Sequence, residues 1–255
     1  MPNVLTADLL KRMNVPVQEF NKSFEGMMRA GKERLTALQR PSGGWGWFEQ
    51  DAEDPFMTAC AVHGLGECDR LGTPVDSVVL KRGRERLLAM AKEEQDLNRL
   101  AYASYVLGAE FERLLQSPEK LSSYAQALLV LALKKAGRPE AGAVAGRLAA
   151  GVKRDHWETP DWYYKWDDVS IETTAYAIQA LAAVNPGHPL IPEAVGWLLA
   201  QRQGPRWRST KDTAVAIATL LQVTDLERLS GAVAVPGDAP REASLKRIAV
   251  VLNGG

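Results

Sequence analysis

One eight-residue pattern recurs five times along the chain and constrains its fold more than any other feature. The pattern is x-Ala-x-Ala-x-x-x-Leu, and its copies are TACAVHGL from Thr58, LAYASYVL from Leu100, YAQALLVL from Tyr124, TAYAIQAL from Thr174 and TAVAIATL from Thr213. Apolar residues in these copies recur with helical spacing, and small residues at alternate places let helices approach closely. We expect the copies to be the inner helices of a repeating array.

Amphipathic segments with charged faces separate the copies and predict a second, outer layer of helices. Two of these segments are SVVLKRGRERLLAMAKEE and PLIPEAVGWLLAQRQ. With further helices predicted near residues 3–14, 18–40 and 110–116, the inner and outer helices alternate up to about Gln222 and number about eleven. Helix hairpins in this order stack as a solenoid or close into a ring.

The last part of the chain changes character. Gly and Pro punctuate the segment GAVAVPGDAPREAS, and a single β-like run, LKRIAVVLN, follows it. We therefore divide the chain into a helical domain over residues 1–223 and a linker with the start of a truncated β domain over residues 224–255.

Charge and hydropathy argue against two kinds of partner and leave only local charged patches open. Lys plus Arg equals Asp plus Glu at 31 each, so no overall positive field attracts nucleic acid or an anionic membrane. No apolar run approaches the roughly 20 residues that a membrane-spanning helix needs. The N-terminus lacks a basic start followed by an apolar core, so this chain shows no export signal.

Cysteine and histidine spacing predicts neither a disulfide nor a metal site. Cys60 and Cys68 are eight residues apart in one predicted helix. That spacing puts them about 12 Å apart, whereas a disulfide needs Cα atoms within about 7 Å. The histidines, at positions 63, 156 and 188, match no zinc spacing. We expect two free thiols and no cofactor.

Tryptophans supply the candidate binding residues. Trp45 and Trp47 lie in the Gly-rich turn RPSGGWGW, and we interpret them as covers on helix ends, with ligand contact as the alternative. A second group lies in a loop of about fifteen residues, a length that usually marks a loop with a function. This loop is either a packed flap or a recognition surface. Its aromatic residues are Trp157, Trp162, Tyr163, Tyr164 and Trp166.

Three segments led by tryptophans resemble one protein family. They are ALQRPSGGWGWFEQDAEDPFMTACAVHGL, WDDVSIETTAYAIQALA and WRSTKDTAVAIATLL. They are similar to the thioester domain of bacterial alpha-2-macroglobulin and complement-like proteins, and the resemblance covers about Met1 to Leu221. It implies an all-α fold, an α/α toroid of six inner and six outer helices that interrupts a β domain of the CUB type. About eleven of the twelve helices are then present.

The chemistry of that family is a thioester within a Cys-x-x-Gln unit. Here His63 stands three places after Cys60, and Leu71 stands three places after Cys68, so neither cysteine has the required glutamine. The stretch MPNVLTADLLKRMNV resembles the residues that directly follow the thioester motif in bacterial members. We therefore expect a chain that starts just downstream of the motif and lacks the first helix. The face left uncovered predicts self-association.

His156 is the one residue that the resemblance connects to the thioester. In complement members, a histidine some eighteen residues before the Thr-Ala of the later inner helix attacks the thioester and transfers the acyl group. Counting eighteen residues back from Thr174 gives His156. The resemblance thus implies that His156 faces the thioester, and the alternative is a structural histidine.

Terpenoid cyclases provide the enzymatic alternative because they share the toroid. The segment QRPSGGW from Gln39 matches their Gln-x-x-x-Gly-x-Trp signature. The proton-initiated cyclases also need an Asp-x-Asp-Asp acid, and the comparable stretch here, SIETTA, has only Glu172. Neither that motif nor the diphosphate-binding Asp-Asp-x-x-Asp occurs, and we find no prenyltransferase zinc set.

The sequence therefore favours a non-enzymatic fragment of a bacterial alpha-2-macroglobulin or complement-like protein. We expect a protein-interaction domain related to protease trapping or covalent surface attachment, without its own thioester. Its expected partners are proteases or flanking β domains of a parent chain located outside the cytoplasm. A cyclase-like enzyme with an altered acid site and a free-standing helical binding scaffold are the alternatives.

Overall fold

The computed structural model describes residues 24–70, 72–159, 169–204 and 206–230. The helix predicted near residues 3–14, Trp162, Trp166 and the β-like run all lie outside these residues. The described part contains ten α-helices and one 3₁₀ turn, Pro118–Lys120. The α-helices are α1 Phe24–Ala37, α2 Pro55–Arg70, α3 Ser77–Glu93, α4 Leu97–Leu107, α5 Glu112–Gln116, α6 Ser123–Lys135, α7 Ala141–Ala150, α8 Ser170–Val184, α9 Leu190–Ala200 and α10 Thr210–Ser230.

The helices form two layers, as the sequence predicted. All five copies of the alanine repeat lie in the even-numbered helices, and each of these packs on the next, from α2 through α4, α6 and α8 to α10. The odd-numbered helices form the outer layer: α3 packs on α2 and α4, and α7 packs on α6 and α8. The all-α toroid-type architecture is confirmed in the described residues.

Alanines make the close inner contacts. Ala125 and Ala127 of α6 and Ala175 and Ala177 of α8 have no exposed surface. These small side chains let the inner helices pack tightly, which is the physical reason for the repeat. Polar residues also bridge α8 and α10, where Gln179 Nε2 donates to Thr219 Oγ1 at 2.7 Å.

Side-chain caps fix where several helices begin. Asp76 accepts a hydrogen bond from the N–H of Val78 at the start of α3. Ser122 accepts one from the N–H of Ala125 at the start of α6. These bonds satisfy amides that the helix itself leaves unpaired, and they define the loop positions between layers. No helix of the described ranges combines the length and apolarity needed to cross a membrane.

Two helical glycines differ sharply in what they contact, and this difference predicts opposite effects of adding a methyl group. A Cβ at Gly83 of α3 would come within 2.8 Å of the Trp45 ring, whereas one at Gly146 of α7 meets nothing within 4 Å. We expect Gly83→Ala to lower the free energy of unfolding by about 1–3 kcal/mol. Gly146→Ala should raise it by about 0.5–1 kcal/mol. Urea unfolding checks both, and equal effects would contradict the packing of Trp45 on α3.

Candidate functional site

Three tryptophans attach the loops to the outer helices in the same way. Each lies just before an inner helix, and each indole N–H donates to a carbonyl near the end of the preceding outer helix. The bonds run from Trp45 to Leu35 at 2.8 Å, from Trp157 to Leu148 at 2.6 Å and from Trp207 to Leu198 at 2.7 Å. All three side chains are buried.

A threonine completes each of these attachments. The backbone N–H of the tryptophan donates to a threonine hydroxyl in the inner helix that follows. The pairs are Trp45 with Thr58 at 3.0 Å, Trp157 with Thr174 at 3.1 Å and Trp207 with Thr213 at 3.1 Å. Each threonine is the first residue of a Thr-Ala repeat copy, so the repeat encodes this contact. Trp207 was not among the candidate residues from the sequence, although its segment was one of the three that carried the family resemblance.

The glycines before Trp45 are required by close contacts. Gly43 has φ of +104°, and a Cβ there would lie 2.6 Å from the Arg82 carbonyl oxygen. A Cβ at Gly44 would lie 2.6 Å from a carboxylate oxygen of Glu53, which accepts the Gly44 N–H at 2.8 Å. The Gly-rich turn therefore lets the backbone pass between α3 and the loop before α2.

Trp47 differs from the three buried tryptophans because its side chain is 42% exposed. It stacks on Phe56 with ring centroids 6.4 Å apart, and the neighbouring Phe48 is 75% exposed. Arg40 contacts the backbone of the loop that carries them. Its guanidinium donates to the carbonyls of Phe48 and Asp51 at 3.1 and 2.6 Å. Two adjacent aromatic side chains are thus exposed, one partly and one largely, on a loop whose backbone carbonyls are hydrogen-bonded to Arg40.

His156 lies in a turn that recurs elsewhere in the fold. The N–H of Lys153 donates to the His156 carbonyl at 2.7 Å, and the N–H of Gln203 donates to the Arg206 carbonyl at 2.7 Å. His156 and Arg206 each directly precede a buried tryptophan, so they occupy equivalent positions.

The imidazole of His156 packs on the outer layer. It stacks on Trp197 of α9, with centroids 4.4 Å apart and planes 2° from parallel. Its Nδ1 lies 3.0 Å from an Asp155 carboxylate oxygen, and its Nε2 lies 3.4 Å from one of Glu158. Both ring nitrogens therefore face carboxylates of the same loop.

The first turns of four inner helices meet around a buried carboxylate, Glu172, which is 2% exposed. Lys211 of α10 places its Nζ 2.7 Å from Glu172 Oε2, and the Tyr124 hydroxyl of α6 donates to Oε1 at 3.2 Å. The same Nζ lies 5.1 Å from the ring centroid of Phe56 in α2. Burial raises the pKa of Glu172, and the Lys211 ammonium opposes that rise.

Aromatic rings occupy the space beside this carboxylate. Ring contacts run from Phe56 to Tyr102, Tyr105, Tyr176 and Tyr124, with successive centroids 5.4 to 6.5 Å apart. Burial raises the pKa of Tyr102, Tyr124 and Tyr176 well above the ordinary value, so these phenols stay neutral. Neutral aromatic side chains of the inner helices therefore pack beside the ion pair of Glu172 and Lys211.

Neither cysteine has the surroundings of a nucleophile. Burial raises the pKa of Cys60 to about 11 and also raises that of Cys68, so both remain thiols at neutral pH. Both are free cysteines, as the spacing predicted. No group of three or more metal-ligating side chains occurs in the described ranges of the chain.

Comparison with known proteins agrees with the fold and with the sequence resemblance. Residues 104–222 match the family of the A-macroglobulin TED domain. The chain is 28% identical over 204 residues to an alpha-2-macroglobulin of Thermotoga maritima, an alignment that covers 79% of this chain and 12% of that protein. The resemblance to bacterial alpha-2-macroglobulins is confirmed, and this chain spans about an eighth of that relative.

Solved structures share the fold at low identity. Native alpha-2-macroglobulin of Escherichia coli, from domain MG7 to the C-terminus, aligns with a TM-score of 0.65 and 20% identity over 85% of this chain and 37% of that one. The trypsin-activated protein of the same organism gives 0.59 and 23% over 75% and 14%. A type II terpene cyclase from Scytonema gives 0.56 and 15% over 88% and 87%.

Proposed function

We propose that this relative of the A-macroglobulin TED domains is the helical thioester-type domain of an alpha-2-macroglobulin-like protein and acts as a protein-interaction module. The Escherichia coli relatives are described as activated by trypsin and by porcine elastase. By analogy, proteases are the proposed partners of the longer protein, which works outside the cytoplasm with β domains beside this one. Because the chain spans 12% of its curated relative, the activity of that longer protein is part of the proposal.

The proposed interaction role rests on the exposed side chains of Trp47 and Phe48. Exposed aromatic residues on a rigid backbone are typical anchors of protein interfaces, because little conformational freedom is lost when they bind. The Arg40 contacts to the loop carbonyls provide that rigidity. Glu53 adds to it, since it accepts from the Gly44 N–H and pairs with Arg86 at 2.7 Å. Contacts within the chain thus fix the conformation of this loop in the absence of a partner.

The ion pair of Glu172 and Lys211 favours this function over a cyclase. An acid that protonates an alkene must hold a proton and face a substrate chamber. Lys211 instead contacts Glu172 at 2.7 Å and opposes the rise in its pKa that burial causes, so Glu172 faces a cation rather than a substrate. The similarity to the terpene cyclase, at 15% identity, concerns the fold alone. Conversion of a linear polyprenyl substrate, abolished by Glu172→Gln, would support the cyclase instead.

A protease-capture experiment tests the interaction role. The complete natural gene product is incubated with trypsin, and the captured fraction is measured on native gels for wild type and for Trp47→Ala combined with Phe48→Ala. We expect capture to fall at least tenfold, since a loss of about 1.4 kcal/mol weakens binding tenfold and anchor residues contribute about 2 kcal/mol or more. Val78→Ala, a change at a 58% exposed apolar residue of α3, is the matched control and should leave capture unchanged. Equal capture by all three proteins would contradict the role of the loop.

A further inference from the structure

A cleft lies at the C-terminal ends of three successive inner helices. It has a volume of about 200 Å³. His63, Glu67 and Arg70 of α2, Tyr105 of α4 and Lys135 of α6 line it together with Arg84 of outer helix α3. The ion pair of Glu172 and Lys211 lies among the first turns of the inner helices instead, so the cleft is a separate feature.

Positive charge is in excess in this cleft. Arg70 donates two hydrogen bonds to the Glu67 carboxylate, at 2.9 and 2.7 Å, so these two charges compensate each other. The Arg84 guanidinium donates to the Leu107 carbonyl at 3.3 Å, which leaves its charge without a carboxylate among the described residues. Lys135 makes no ion pair with a described residue. Two positive charges therefore face the cleft.

Cations near helix C-termini have an ordinary structural use, since they compensate the partial negative charge of the helix end. Arg70 and Lys135 lie in the last turns of α2 and α6. That use accounts for Arg70 and Lys135 but not for Arg84, which lies in the middle of α3, and two polar groups of the cleft need a separate account.

Those groups are the Nε2 of His63 and the hydroxyl of Tyr105. His63 Nδ1 lies 3.1 Å from the Tyr102 hydroxyl. Within the described ranges, neither His63 Nε2 nor the Tyr105 hydroxyl has a hydrogen-bond partner, although both side chains line the cleft. The two rings also contact each other edge to face at 5.4 Å. Both side chains are only partly buried, so these two atoms can contact a ligand that enters the cleft.

We propose that this cleft binds a small oxyanion, the carboxylate or phosphate group of a small molecule. Lys135 and Arg84 supply the charge, and the Tyr105 hydroxyl donates a hydrogen bond. His63 adds a second donor as the tautomer in which Nδ1 accepts from Tyr102 and Nε2 carries the hydrogen. The ligand thus accepts hydrogen bonds from both donors and compensates the excess positive charge.

The protonation of His63 gives a readout at the site itself. Burial lowers the pKa of His63 to about 4; the Glu67 carboxylate raises it and the Lys135 ammonium lowers it, and the imidazole is neutral at pH 7. A bound anion adds a second negative charge beside the ring, and that charge favours the imidazolium. Saturation with the anion should therefore raise the pKa of His63, measured from the ring carbon-bound protons by NMR.

Titration calorimetry with inorganic phosphate and, separately, with succinate tests the proposal, with sodium chloride at matched ionic strength as the blank. We expect saturable binding of at least one anion, and the stronger of the two identifies the headgroup. Lys135→Met should weaken that binding about tenfold or more, because a hydrogen bond to a charged group contributes that much. Tyr105→Phe, which removes only a hydroxyl, should weaken it as well.

Lys134→Met is the matched control, because Lys134 is exposed on the same helix and does not line the cleft. It should leave the affinity unchanged. Two results would overturn the proposal. One is the absence of saturable binding for both anions with an unchanged pKa of His63. The other is an equal loss for the two lysine variants, which would show a general charge effect.

Discussion

Trp157→Ala should lower the free energy of unfolding by about 3–5 kcal/mol, the range for removing a large buried aromatic side chain. The side chain has no exposed surface. Its loss also leaves the Leu148 carbonyl without the indole N–H that it accepts at 2.6 Å. Urea unfolding followed by circular dichroism at 222 nm is the measurement, since the helices dominate that signal.

Trp47→Ala is the control for the tryptophan change. Its side chain is 42% exposed, so the same chemical change should cost less than about 1 kcal/mol. Trp157→Phe should be intermediate, because it keeps most of the apolar volume and loses the indole hydrogen bond. Equal costs for Trp157→Ala and Trp47→Ala would contradict the buried attachment of the loop to α7.

Lys211→Met should lower the free energy of unfolding by about 2–3 kcal/mol at pH 7, because it leaves the buried Glu172 carboxylate without its cation. The value lies below the usual range for broken buried pairs, since the Lys211 side chain is 46% exposed. Lys81→Met is the control: Lys81 forms an exposed pair with Glu85 at 3.9 Å, and its loss should cost less than about 0.5 kcal/mol.

The loss of unfolding free energy caused by Lys211→Met should increase as the pH rises. Burial raises the folded-state pKa of Glu172 above its ordinary value of 4.5, and removal of Lys211 raises it further. A carboxyl group with a raised folded-state pKa destabilises the fold progressively as the pH rises through that pKa. The deficit should therefore be small below pH 4.5 and should grow as the pH rises above that value. Glu172→Gln in the same chain should remove the pH dependence, and a deficit that grows on acidification would contradict the pairing.

The layered helical fold could be predicted because its signal is local. Each repeat copy places alanine and leucine on one face of its own helix, and that periodicity can be counted within eight residues. The Trp-led segments could also be recognised, because tryptophan, glycine and Thr-Ala stand close together in the chain. Their common mechanism was not visible, since the hydrogen bond from each indole ends on a different helix.

The sites could be predicted only in part because their residues come from distant parts of the chain. Glu172 stands out in the sequence only as the one acidic residue of the stretch comparable to the cyclase motif. Its partner Lys211 lies on another inner helix, and their contact depends on how α8 and α10 are rotated. His63 matches no zinc spacing, and a histidine in a repeat copy has no local sign of a cleft. The predicted roles of Trp47 and His156 remain predictions.

Methylamine treatment tests most directly the claim that this is a thioester-type domain of a longer protein. The complete natural gene product and the 255-residue chain are compared by mass spectrometry and thiol titration. Small amines open a thioester by forming an amide and releasing a thiol. The complete product should gain one methylamine and release one thiol. The 255-residue chain should gain none and show, after denaturation, only the thiols of Cys60 and Cys68. A complete product that takes up no methylamine and releases no thiol would contradict the proposal.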